Sequence, residues 1–160
     1  METFTELLDR MRRGGDAVEA AMAGASSAEL DYSPGPGRWT IRQVMAHVVD
    51  SEIVGADRFR RTLAEDNPTL IGYDEKAWAA NLDYGKREPS EDLELFRRVR
   101  RLTTRLLESL PAPAFFRTAT HTERGRMTLL DLLRVYAEHA EGHARQIQAN
   151  REAYRITAGG

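Results

Sequence analysis

The stretch LLDLLRVYAEHAEGHARQI, residues 129–147, decides how this chain folds. Leu129, Leu132, Leu133, Tyr136, Ala140 and Ile147 recur at spacings of three and four, the period of an amphipathic helix. Thr128 is placed to cap that helix, and the pattern runs to about Tyr154. His139 and His143 fall inside the same apolar stripe, one helical turn apart and on the same face. A stripe this long needs other helices to bury it, and two imidazoles within it need a reason to be buried.

Three more helical patterns precede it. The first joins Phe4, Leu7, Leu8, Met11, Val18 and Met22; Thr3 and Glu6 have capping-box spacing, and Gly14-Gly15 offers a place to break. The second begins at Thr40, with Gln43 completing its capping box, and reaches about Glu65 before Asn67-Pro68. The third is capped by Ser90, carries Glu91 and Asp92 in its first turn, and ends before Pro111. Residues 26–39 form a turn-rich connection, and residues 66–89 a longer one in which DEKAWAANL offers a short helix. Residues 111–126 are an irregular connection, and no segment reads as a strand. The prediction is an all-α four-helix bundle forming a single domain over 1–160, with connections long enough to depart from simple up-down order.

Composition narrows the function. Of 160 residues, 30% are charged and 41% hydrophobic, as in an ordinary water-soluble domain, and the net charge of −2 gives no field to recruit nucleic acid or anionic membrane. The arginine run FRRVRRLTTR, residues 96–105, reads as a solvated helix face. With no cysteine, disulfides, thiolate metal sites and a cysteine nucleophile are excluded. The acidic amphipathic start is no signal peptide, and no apolar run spans a membrane, so a cytoplasmic protein is expected.

The histidines carry the chemistry. On the second helix Ile41, Val44, Val48, Ser51 and Gly55 trace an inward stripe, and His47 lies within it. His47, His139 and His143 therefore point into one interior. Burying three imidazoles costs desolvation for each, and one divalent metal satisfies a nitrogen of all three rings at once. Imidazole suits zinc, nickel, iron or copper. Three neutral ligands leave the ion its full charge and an open position, the pattern of a catalytic site. Ala140 excludes the zincin motif, which needs glutamate there. Asp50, three residues after His47, is expected to orient an imidazole or act as a general base, or else to pair with a nearby arginine such as Arg58. Gln146 follows His143 by three and is expected to line the cavity or bond across the bundle. His121 lies in the connection before the last helix, either over the metal or exposed. Tyr136 and Arg42 complete the expected pocket, with Arg38 or Arg42 near its mouth.

The segments RWTIRQVMAHVVDSE, YDEKAWAANLDY and HTERGRMTLLDLLRVYAEHAEGHARQI resemble the DinB-like superfamily, and within it the YfiT-like metal-dependent hydrolases. The likeness covers about residues 30–150. It implies a four-helix bundle of non-simple topology, one divalent metal held by His47, His139 and His143, and a homodimer. It also implies a low-molecular-weight thiol such as bacillithiol, mycothiol or glutathione as co-substrate. Gly142, Glu138 and Thr122 stand where YfiT-like members carry histidine, tryptophan and proline. The expected activity is thiol transfer to a small electrophile, with zinc or nickel as the metal. Metal-dependent hydrolysis and a non-catalytic metal-binding bundle are the alternatives.

Overall fold

The computed structural model describes residues 2–159. Four long helices dominate it: α1 (Phe4–Met22), α3 (Ile41–Ala64), α5 (Pro89–Glu108) and α6 (Leu129–Ala158). Two short helices, α2 (Ser27–Asp31) and α4 (Glu75–Asn81), lie in the connections. Strands β1 (Thr69–Leu70), β2 (Thr118–His121) and β3 (Gly125–Thr128) form a small sheet in the order β1-β2-β3. Among the described residues, no helix is long and apolar enough to cross a membrane.

Capping explains most helix starts. Thr3, Thr40 and Thr128 each accept the N3 amide while the N3 side chain returns a bond to the cap amide. Ser26 and Glu29 form a fourth box, which nucleates α2 inside the turn-rich segment. The start of α5 differs from the sequence expectation. Glu88 is the cap and Pro89 takes the first helical position, where its missing N–H is no loss. The first helix also runs unbroken through Gly14 and Gly15. A Cβ on Gly14 would lie 3.2 Å from the Ala140 Cβ, and one on Gly15 3.1 Å from the Arg100 Cδ, so both glycines admit neighbours.

The packing order is not that of a simple bundle. α1 packs on α6 and α5, and α3 packs on α5 and α6, so α1 and α3 lie across a diagonal although consecutive. Arg10 reaches Glu141 and Arg151 reaches the Ala21 carbonyl, so α1 and α6 run parallel. Trp39 meets Asn150 and Phe59 meets Tyr136, so α3 and α6 are antiparallel. The order is up, down, down, up. Parallel α3 and α5 require the chain to return along the bundle, and residues 65–88 make that return.

The strands were not foreseen. β2 and β3 form a hairpin, pairing Thr118 with Thr128 and His121 with Gly125, and β1 joins β2 in parallel. Gly125 turns the hairpin at a φ of 73°, where a side chain would be strained. The hairpin covers the end of the bundle from which α6 departs.

The core is two apolar clusters separated by a polar layer. One gathers Leu7, Met11, Phe59, Phe115, Leu129 and Leu132; the other gathers Val18, Ile41, Val44, Val48, Phe96 and Ile147. Between them Arg100 donates to both Glu52 carboxylate oxygens, at 3.1 and 2.6 Å, and to the Met11 and Tyr136 carbonyls. Arg100 is 4% exposed, which corrects the reading of residues 96–105 as wholly solvated. Arg97, Arg98, Arg101 and Arg105 do face solvent.

Candidate metal centre

α3 and α6 bring the three histidines together at the level of the second cluster. The His139 Nε2 lies 3.0 Å from the His47 Nε2 and 3.1 Å from the His143 Nε2. The ligand atoms of all three rings fall within 4.8 Å of one another. Nitrogens sharing one ion at roughly 2.0–2.1 Å would stand roughly 3.0–3.4 Å apart, so two of the three contacts already have coordination spacing.

Protons alone do not satisfy this arrangement. The His143 Nδ1 bonds the Gln146 Oε1 at 2.8 Å, which fixes that nitrogen as the donor and leaves the Nε2 a lone pair. The His139 Nε2 carries either one proton or one lone pair, yet it faces two other ring nitrogens. Any assignment leaves facing lone pairs, facing protons or one proton shared three ways. A cation accepted by all three resolves the conflict. On the far side of the His47 ring, the Nδ1 is buried without a partner among the described residues. The donor set therefore fits a divalent transition metal.

Burial holds the rings neutral, the state a ligand requires. Desolvation pushes His47 down to about 4 and His139 down to about 2, with the charge of neighbouring rings adding to it. Desolvation also lowers His143, against a partial rise from its bond to Gln146.

The open side of the triad faces a cavity of about 270 Å³ bounded by His47, His139, Arg58, Tyr73, His121 and Tyr136. His121 thus shares the cavity wall but stands outside the triad. Its Nδ1 accepts the Glu123 N–H at 3.1 Å, so in the neutral ring the Nε2 carries the proton. Tyr136 is buried, and its hydroxyl accepts from the Arg58 Nη1 at 3.1 Å. Its ring sits on Gly55, where a Cβ would come within 2.4 Å of the Cε1.

Asp50 takes up the pairing with a nearby arginine, through Arg87 and not Arg58. Its Oδ2 accepts from the Tyr84 hydroxyl at 2.8 Å and its Oδ1 from the Arg87 Nη1 at 2.7 Å; it bonds neither an imidazole nor Arg58. Arg87 also holds Asp92. These bonds tie the connection 65–88 to α3 and α5. Arg42 pairs with Asp31 and the Arg87 carbonyl, away from the cavity lining, and Arg38 is exposed.

The residue that sequence reasoning missed is Glu75. The Asp74 side chain caps α4, and Glu75 in its first turn brings an Oε2 to 3.7 Å from the His47 Nε2. The signal was the capped DEKAW segment within a long connection, but only the fold places it beside His47.

Residues 10–147 match the model of the DinB superfamily. The chain belongs to the DinB superfamily. Within it, the YfiT protein of Bacillus subtilis, provisionally named a metal-dependent hydrolase, is 32% identical over 131 residues, covering 81% of this chain and 74% of YfiT. A relative from Oceanobacillus iheyensis with the same provisional naming is 33% identical over 123 residues, covering 76% of this chain and 70% of its own. The solved YfiT structure, described as an unusual four-helix bundle topology, superposes with a TM-score of 0.85 at 26% identity. It covers 99% of this chain and 91% of YfiT, consistent with the up-down-down-up order described above. A second solved four-helix bundle protein aligns with a TM-score of 0.63 at 26% identity, covering 92% of this chain and 99% of its own.

Proposed function

We propose that this DinB superfamily protein is a metal-dependent enzyme that transfers a low-molecular-weight thiol to a small electrophile. The observation that carries the metal-dependent part is the convergence of three neutral Nε2 atoms on one point at the wall of a cavity. A divalent ion held there supplies a positive charge that acidifies a thiol or water joining it. His47, His139 and His143 hold the ion, and Gln146 fixes the tautomer of His143.

The choice of thiol over water rests on the proton acceptors. An acidified thiol is already a good nucleophile and can lose its proton to solvent. Attack by water calls for a positioned base. Asp50 has both oxygens engaged and His121 presents a donor, which leaves Glu75, itself 58% exposed, to take that proton. The chain's lack of cysteine fits a nucleophile brought in from outside. In the transfer, the sulfur forms a bond to the electrophilic carbon, the leaving group departs with its electron pair, and the thiol proton passes to solvent.

Hydrolysis is the second reading, favoured by Glu75. Its carboxylate, 3.7 Å from the His47 Nε2, lies on the open side of the triad, where it can take a proton from water. Metal-loaded protein incubated with chlorodinitrobenzene and a panel of thiols tests the choice. Metal-dependent thioether formation with release of chloride is the expected result. Ester cleavage lost on Glu75→Gln, with no conjugation by any thiol, would establish hydrolysis instead.

A further inference from the structure

We propose that Arg58 receives a carboxylate of the substrate that enters the metal cavity. The inference rests on reading the triad as a catalytic metal centre and adds the charge of what binds there.

The other arginines of the interior set the contrast. Arg10, Arg42, Arg87, Arg100, Arg134 and Arg151 are likewise buried or half-buried, and each has a carboxylate within 4.0 Å. Arg58 is half-buried, and among the described residues no carboxylate lies within 4.0 Å of its guanidinium. Its Nη1 donates to the Tyr136 hydroxyl and its Nη2 to the Ile71 carbonyl at 2.7 Å, both neutral acceptors, and its Nε is buried with no partner. A partly desolvated charge with only dipoles for company is unfavourable unless something else meets it.

The geometry says where that something would come from. A guanidinium has five N–H donors; two are engaged and one is buried, so each terminal nitrogen retains one hydrogen. Where those two hydrogens face the cavity together they form the end-on fork that a carboxylate takes up bidentately. Arg58 lines the cavity that His47 and His139 also line. Glu75 and Glu123 line the same cavity, but neither brings a carboxylate oxygen within 4.0 Å of the Arg58 guanidinium. Tyr136, one turn before His139 on α6, ties the guanidinium to the helix that carries two ligands. The carboxylate can belong to the thiol or to the electrophile.

Calorimetric titration of metal-loaded protein with 3-mercaptopropionate, 2-mercaptoethanol and succinate decides it. Wild type should bind 3-mercaptopropionate about tenfold to hundredfold more tightly than 2-mercaptoethanol, the range of a hydrogen bond to a charged group. Arg58→Gln should remove that preference while metal content and affinity for 2-mercaptoethanol stay unchanged. Arg58→Lys, which keeps the charge without the fork, should retain part of it. Equal affinity for the two thiols in wild type, or a preference that survives Arg58→Gln, would overturn the inference and leave thiol binding standing. If neither thiol binds, the thiol reading fails. Succinate binding lost on Arg58→Gln would then still support the carboxylate site, and no succinate binding would sink it.

Discussion

Arg100 and Arg58 both enter the interior of this bundle, and their surroundings differ in kind. Arg100 crosses from α5 between the two apolar clusters and gives every arm a partner: Glu52, the Met11 carbonyl and the Tyr136 carbonyl. Gly14 and Gly15 lack side chains where it passes. Arg58 stands beside the metal cavity with neutral acceptors and an orphan nitrogen. A charge that the chain itself compensates ties helices together. A charge left uncompensated beside a ligand site is held for the ligand.

The comparison breaks most readily at Arg100. Arg100→Ala would leave Glu52 buried without a partner and should cost about 3–5 kcal/mol in urea unfolding. Replacing Arg100 and Glu52 together by Met and Leu should recover most of that loss. A cost below about 1 kcal/mol for the single change would remove the contrast.

Acid should act next most strongly. Burial keeps His47 neutral down to about 4, against 6.5 for the free side chain. Between those values the unfolded chain binds a proton that the folded chain refuses, so stability is full above about pH 6.5 and falls as pH drops toward 4. For His47 alone the loss is about 3 kcal/mol, with His139 and His143 acting in the same direction. Urea titrations of metal-free protein at pH 7, 5.5 and 4.5 would measure it; a flat profile would contradict neutral, buried rings.

Gln146→Ala releases the His143 ring and should weaken metal binding about tenfold to hundredfold, read by competition with a chelator. The smallest effect sharpens the comparison from the other side. Arg58→Gln should change folding stability by no more than about 1 kcal/mol, since only two neutral acceptors at a cavity wall lose a partner. A loss as large as that of Arg100→Ala would make Arg58 a structural residue.

The sequence made the helices legible because their determinants are local. The capping boxes at Thr3 and Thr40, the cap at Thr128 and the apolar spacings between them place the four long helices to within a few residues. His139 and His143 were legible for the same reason, and His47 because an inward stripe reveals a face. What depends on distant partners was not. β1 is two residues long and exists only because β2, some fifty residues later, pairs with it. Arg100 sits among solvated arginines, and its burial is decided by Glu52 on another helix and by glycines on a third. Asp50 is claimed by Tyr84 and Arg87 from the far end of a connection whose path no local pattern records. Glu75 reaches His47 by that same path.

Elemental analysis of the purified protein and of His143→Ala tests whether His47, His139 and His143 hold one metal ion. One divalent transition metal per chain is expected in the wild type, with none retained by a folded His143→Ala. Unchanged metal content in that variant would contradict it.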